Sequence, residues 1–233
     1  MTAVATRELE LSLLGGRRLL AGMDEVGRGA LAGPVTVGVA WVDAEVGEPP
    51  SGLTDSKLLT PAKRAALCEP IRQWVRAWGV GHASPDEIDA HGIVVALRLA
   101  GQRALMQAAA MSGLSFPELV ILDGVHDWLT EPQDDLFVAM RESAADLQWS
   151  AGGYVVPPVH MQVKADMSCA VVAAASVLAK VDRDTLMITH EDPGYGWASN
   201  KGYASAAHVE GLRRLGASSF HRRSWKLPGV DTP

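Results

Sequence analysis

Apolar residues fall in short runs cut by Gly, Pro and acidic positions, and the periods of those runs predict the elements of the chain. "RRLLAGMDE" and "PVTVGVAWV" read as successive strands, the second β-branched and bounded by Pro34 and Asp43. A Pro-, Gly- and Ser-rich loop follows, "VGEPPSGLTDSKLLTP". Thr60 then looks like an N-cap, with Pro61 at the first position of a helix running to about Trp74. "AWGVGHAS" reads as a third strand. Ser84-Pro85-Asp86-Glu87 opens a helical region that Ile93 to Met111 continues with alanine-rich periodicity. "PELVILDG" is a short apolar strand halted at Asp123-Gly124, and "YVVPPVHMQVKAD" holds extended pieces interrupted by two prolines. Ser168 to about His190 is strongly helical, with Ala173, Ala174, Ala175 and Ser176 placed for close packing on a sheet. "PGYGWASNKGY" reads as a loop and Ala204 to Leu215 as a last helix. A strand meander followed by strands alternating with helices implies an α/β fold with a mixed sheet.

Composition narrows this picture. The 233 residues suit one large domain, or one with a small appendage, and 48% hydrophobic with 21% charged residues is ordinary for a folded protein. "MTAVATRELELSLLGG" has no signal-peptide layout, and the apolar run Cys169 to Ala179 is too short to span a bilayer. Cys68 and Cys169 lack zinc or disulfide spacing, so a reduced, cytoplasmic protein without a membrane anchor is expected. A net charge of −6 argues against polyanion binding by the whole surface. Yet Lys201, Arg213, Arg214, Arg222, Arg223 and Lys226 crowd the end of the chain, opposed there by Glu210 and Asp231. They form either a local phosphate-contacting surface or a solvated helix face.

The acids carry the candidate chemistry. Asp24-Glu25 close the first strand, Asp123 closes the "LVIL" strand, and Asp166 precedes the long helix. Strand ends of α/β sheets are where active sites gather. Four carboxylates meeting there suit one or two Mg²⁺ or Mn²⁺ ions, since hard cations prefer oxygen ligands. Taken singly, Asp123-Gly124 could be a turn and Asp166 a helix cap. Asp24-Glu25 resist such a reading, because burying an unpaired carboxylate costs several kcal/mol by order of magnitude. Gly27 and Gly29, beside them, let backbone groups approach a sugar or phosphate closely, or else make a tight turn.

With these residues in hand, the chain resembles bacterial type 2 ribonuclease H (ribonuclease HII). "DEVGRGALAGPV", "LTDSKLLTP", "LVILDG", "KADMSCAVVAAASVLAKVDRD" and "YGWASNKGYASAAH" with "HRRSW" resemble that family's motifs in order, from about Arg18 to Trp225. The resemblance implies a ribonuclease H-like mixed five-stranded sheet flanked by helices, with residues 1–195 catalytic and a small helical C-terminal part, 196–233, contributing substrate contacts. It implies metal-site acids Asp24, Glu25, Asp123 and Asp166. It implies that the backbone of Gly27, Arg28 and Gly29 senses a ribonucleotide's 2′-hydroxyl, and that Tyr203 packs on the neighbouring deoxyribose. Lys57, Lys180 and Arg183 are candidate phosphate contacts. The implied reaction is hydrolysis of the phosphodiester 5′ to a ribonucleotide, in an RNA–DNA hybrid or in duplex DNA with embedded ribonucleotides, giving a 3′-hydroxyl and a 5′-phosphate. Such a reaction serves ribonucleotide removal from DNA. One metal would help generate hydroxide and the other would stabilise the departing 3′-oxygen. A monomer is expected.

Two other classes compete: a non-catalytic binder of hybrid duplexes, and a different two-metal phosphohydrolase indifferent to the 2′-hydroxyl. Four intact acids speak against the binder, which gains nothing from negative charge near phosphate. The chain also departs from the family pattern. Ala204-Ser205-Ala206-Ala207 follow Tyr203 where Gly-Thr and a charged pair are usual, and Asn200 stands where a histidine is common.

Overall fold

The computed structural model describes residues 4–130 and 155–230. Three antiparallel strands come first: β1 (Leu20–Val26), β2 (Val35–Val42) and β3 (Ala77–Ala83). β4 (Val120–Asp123) then pairs parallel to β1, and β5 (Val159–Gln162) parallel to β4. The five-stranded mixed sheet has the order β3-β2-β1-β4-β5. Tyr154, where the sequence begins its extended stretch, lies outside the described residues, as does Asp231.

The helices start where their caps say. Thr60 accepts the Lys63 amide at the head of α2 (Pro61–Trp74). Ser84 and Glu87 form a capping box on α3 (Pro85–His91). Gly92 breaks the predicted continuous helix, and α4 (Ile93–Ser112) follows it. The long C-terminal helix is divided too: a single turn, α5 (Ala165–Ser168), then extended Cys169, then α6 (Ala170–Thr189).

α6 covers one face of the sheet and α4 the other, each against its own buried cluster. Glycines on the strands set how near the helices come. A Cβ at Gly22 would stand 2.6 Å from the Val171 carbonyl carbon, and one at Gly38 would overlap the Ala175 carbonyl. Gly79 and Gly81 stand in the same relation to Ala104 and Ala100 of α4. The alanines of α4 and α6 thus rest on strand backbone, at a distance that any larger residue would force open. That seating carries α6's polar face to the ends of β1 and β4.

Three features are not in the sequence-based picture. Residues 8–14 form α1 (Glu8–Leu14), whose Glu10 is fully buried, pairs with Arg7 at 2.7 Å and accepts the Val171 amide at 3.0 Å. Glu10 thereby fills the open amide end of α6. The expected loop at residues 193–203 contains a turn of helix, α7 (Trp197–Asn200), before α8 (Ala206–Leu215). Trp197 forced this turn by packing inside a third cluster, with Leu31, Ala32, Met187, Tyr195, Leu212 and Leu227. Finally, the outer edge of β3 is closed by side chains of α4. Gln107 Oε1 accepts the Val80 amide at 2.5 Å, and Arg103 donates to the His82 carbonyl at 2.6 Å.

Candidate active site

A cleft of about 420 Å³ opens at the end of β1, lined by Asp24, Glu25, Val26, Gly27, Arg28, Gly29, Ser56, Lys57, Lys180 and Tyr203. Residues far apart in the chain meet here: the end of β1, the 3₁₀ turn Ser56–Leu58, the middle of α6 at Lys180 and the segment after α7 at Tyr203 all border the cleft. Asp123, at the end of β4, and Asp166, in α5, flank this cleft.

Alternation along β1 turns Asp24 toward α6, where it is 3% exposed. Its Oδ1 accepts the Glu25 amide at 2.8 Å, and its carboxylate hydrogen-bonds Ser176. The Ser176 and Ser56 hydroxyls are 2.9 Å apart. A hydroxyl has one proton, so Ser176 donates to Ser56 while Asp24 holds its own proton, and once Asp24 ionises Ser176 turns to donate to it and Ser56 donates to Ser176. Burial, followed by the charges of Glu25 and Asp123, pushes the Asp24 carboxyl up to about 8. Burial and then Asp123 raise Asp166 to about 6, and burial raises half-buried Glu25. Lys57 sits among these acids with Nζ 3.4 Å from Asp166 Oδ2. Burial opposes its charge, but Asp24, Asp55 and Asp166 outweigh that and raise its pKa.

The donor set is therefore all carboxylate oxygen, short of positive charge, and chemically suited to a hard divalent cation. Its geometry is less closed than the sequence suggests. Among the described residues, no three His, Cys, Asp or Glu side chains are gathered tightly enough to hold an ion as they stand. Each acid is drawn to a separate partner: Asp24 to Ser176, Glu25 to Arg28 at 3.3 Å, Asp123 to the Ala165 amide at 2.7 Å, and Asp166 to Lys57. Drawing them onto one cation would compete with the contacts of Arg28 and Lys57.

The glycine segment is held from behind. Gly27 has φ +83° and donates its amide to the Tyr203 hydroxyl at 3.1 Å. Two arginines without solvent exposure grip the loop that follows. Arg222 donates to the carbonyls of Gly27, Arg28 and Gly33, and Arg183 to those of Pro34, Ala32 and Lys201. Burial and then Arg183 lower Arg222 to about 9.

This corrects two expectations. Arg183 is no phosphate contact, because it is fully buried and each of its three nitrogens donates to a backbone carbonyl inside the protein. Arg222 is likewise no part of an exposed basic surface. Lys180, by contrast, reaches the cleft while pairing with Asp184 at 2.7 Å. Arg28, whose side chain is 43% exposed, can swing from Glu25 to a ligand.

The departures after Tyr203 find structural partners. Asn200 accepts the Gly202 amide and donates to the Tyr195 carbonyl and to Ser205, which caps α8. The turn carrying Tyr203 is thus tied at both ends. A buried wire also supports it: His208 Nδ1 is 3.0 Å from the Tyr203 carbonyl, His208 Nε2 is 2.9 Å from His221 Nε2, and His221 Nδ1 meets the Ser218 amide and hydroxyl. Only one tautomer pair satisfies every contact: both rings neutral, His208 protonated on Nδ1 and His221 on Nε2.

Burial and then His208 depress His221 to about 4, and burial depresses His208. The unfolded chain protonates both near 6.5, while the folded one resists, so stability falls as pH drops from about 6.5 toward 4. For His221 the loss approaches about 1.4 kcal/mol per pH unit in that window. Urea unfolding of the parent and of His221→Gln between pH 4.5 and 7.5 checks it: the parent should show the steeper pH slope.

Ser176, Arg222 and the two histidines contact the site in ways that sequence reasoning missed. A lone hydroxyl in an alanine run on a sheet-facing helix was the available sign for Ser176; "HRRSW" was read for its charge rather than its burial.

Comparison with known proteins agrees with this geometry. The family model described as Ribonuclease HII matches residues 21–228. A Ribonuclease HII of Streptomyces avermitilis is 44% identical over 224 residues, covering 94% of this chain and 82% of that protein. One of Nitrosococcus oceani is 39% identical, covering 94% of this chain and 92% of the other. The solved ribonuclease H2 of Pyrococcus horikoshii superposes with a TM-score of 0.60 at 25% identity, over 90% of this chain and 95% of that one. By the span of the family match and by the identity over nearly its whole length, the chain belongs to the ribonuclease HII family.

Proposed function

We propose that this metal-dependent ribonuclease H hydrolyses the phosphodiester 5′ to a ribonucleotide, in RNA–DNA hybrids or in duplex DNA with embedded ribonucleotides. The products are a 3′-hydroxyl and a 5′-phosphate, and the reaction opens the removal of ribonucleotides from DNA. The observation that carries this reading is the contact of the Gly27 amide with the Tyr203 hydroxyl, beside buried Asp24. It sets the glycine turn and an aromatic ring beside the acids, which supports a sugar lying between them.

Asp24, Glu25, Asp123 and Asp166 would hold Mg²⁺ or Mn²⁺. A bound divalent cation supplies charge that favours ionisation of the attacking water and departure of the 3′-oxygen. The protein's own groups do the rest. Ser56 and Ser176 fix the Asp24 carboxylate. Lys57, Lys180 and a released Arg28 offer cations to the phosphates on either side of the scissile bond. The Gly27–Gly29 segment meets the 2′-hydroxyl through the Arg28 and Gly29 amides, Gly27's own amide and carbonyl being taken by Tyr203 and Arg222, and this distinguishes RNA from DNA without reading bases. Tyr203, 37% exposed, presents a ring face to the next deoxyribose.

Incubation with a duplex carrying one ribonucleotide, in Mg²⁺ or Mn²⁺, tests the reading. Cleavage on the 5′ side of that nucleotide is expected. Binding without cleavage in either metal would make the chain a hybrid binder; hydrolysis of small phosphoesters with indifference to the 2′-hydroxyl would make it another phosphohydrolase. Tyr203→Ala should lower cleavage at a single ribonucleotide by about tenfold or more, the loss of one stacking contact and one hydrogen bond. Its melting temperature should move little.

A further inference from the structure

We propose that Arg222 is a positioning residue that aims the backbone N–H groups of Arg28 and Gly29 into the cleft and so sets the preference for ribose over deoxyribose. The inference rests on the reading above, that the Gly27–Gly29 backbone meets the sugar.

A buried guanidinium normally faces a carboxylate, since an unpaired charge costs several kcal/mol to enclose, by order of magnitude. None of Arg222's hydrogen-bond partners is one. Its Nη1 reaches the Arg28 carbonyl at 2.7 Å, its Nη2 the Gly27 carbonyl at 2.6 Å, and Nε and Nη2 the Gly33 carbonyl at 3.2 and 3.1 Å. Every peptide bond described is trans, so a carbonyl and the amide of the next residue point to opposite sides. With the Gly27 carbonyl turned inward, the Arg28 N–H faces out. With the Arg28 carbonyl turned inward, the Gly29 N–H does too. Both residues line the cleft, and among the described residues neither amide is spent on an internal hydrogen bond.

The positive charge behind these two peptides also polarises them, making their N–H groups better donors to a hydroxyl oxygen. Arg183 completes the frame. It joins the Ala32–Pro34 stretch to the Lys201 carbonyl, and its guanidinium carbon lies 5.6 Å from the centre of the Tyr203 ring. The loop and the tyrosine are therefore set by one pair of cations. A lysine at 222 would keep the charge but not the fork that holds two carbonyls at once.

The test compares parent, Arg222→Lys and Arg222→Met for affinity to a duplex with one ribonucleotide and to the all-DNA duplex of the same sequence, in Ca²⁺ to suppress turnover. The parent should prefer the ribonucleotide duplex. In Arg222→Met that preference should fall about tenfold or more, as expected for losing donors to a single hydroxyl, with all-DNA affinity changed less than about twofold. Arg222→Lys should lie between. Equal losses on both duplexes, with the preference retained, would overturn the inference and leave Arg222 as mere cement. A parent without any ribose preference would sink the reading of the site instead. Should Arg222→Met fail to fold, Arg222→Lys decides by the same ratio. In the ¹⁵N-labelled parent, the Arg28 and Gly29 amide signals should shift with the ribonucleotide duplex and not with the all-DNA one; no difference between the two would equally overturn the proposal.

Discussion

Asp24→Asn will raise the melting temperature of the metal-free protein and abolish its cleavage. The carboxylate is buried beside two other acids, with hydrogen bonds to one amide and one hydroxyl and only the nearby Lys57 charge in compensation. Its carboxyl is held near 8, against 3.8 for an ordinary aspartate. In the unfolded chain the group ionises from about pH 4 upward, whereas the folded protein keeps the proton until about 8. The native state binds more protons across that window, so this group's contribution to stability falls as pH rises through it. At pH 7 the cost is at most about 4 kcal/mol. An asparagine avoids it: its oxygen accepts the Glu25 amide, and a rotated Ser176 hydroxyl accepts from its nitrogen while donating to Ser56. The expected gain is about 5–10 °C in EDTA at pH 7.5 and much less at pH 5. Added Mn²⁺ should raise the parent's melting temperature, by ligand linkage, far more than the variant's. Cleavage should drop by about a thousandfold or more, the scale of losing a charge used in the transition state. A variant that cleaves within tenfold of the parent would remove Asp24 from the chemistry. One that melts lower in EDTA would remove the strain assigned to it.

The second large effect belongs to Gly27→Ala. At φ +83° any side chain is strained by about 1–2 kcal/mol. The new methyl would also fall on the Arg183 guanidinium, a group with no slack, since its three nitrogens each bond a carbonyl. Relief must come from moving either the loop or the cation, so destabilisation of about 3 kcal/mol or more is expected from urea unfolding. Cleavage at a single ribonucleotide should fall with it by about a hundredfold, even at temperatures where the variant is folded, because the Tyr203 contact is displaced. A variant as stable as the parent would mean that the loop is far more pliant than its hydrogen bonds suggest.

How much of this was legible beforehand follows from the range of each interaction. Strand runs and the Thr60 and Ser84 caps are written in local pattern and stand where it put them; the two long helices stand as well, but with breaks at Gly92 and Cys169 that the pattern did not show. The mixed sheet expected from the alternation of elements also stands, with the five strands that the family resemblance implied. The divided helix at Cys169 was hidden by continuous helix formers; only the Glu10 carboxylate, about 160 residues away in sequence, shows why the chain restarts there. α1 and the turn at Trp197 were missed because each is held by tertiary burial more than by its own propensity. In the site, residue type left Asp123 open as a turn and Asp166 as a helix cap; the family resemblance singled them out, and neither could say which partner each acid would choose. Charge misled twice. Arg183 and Arg222 look like surface cations until the carbonyls of the glycine loop are seen around them.

The closure of β3 by Gln107 and Arg103 bears on how copies of this chain can meet. A neighbour seeking to extend the sheet on that side would find the Val80 donor and the His82 acceptor already taken, and would have to strip an amide and a guanidinium from the rim first. Ribbon-like growth of the sheet from the native state is thus opposed on that flank.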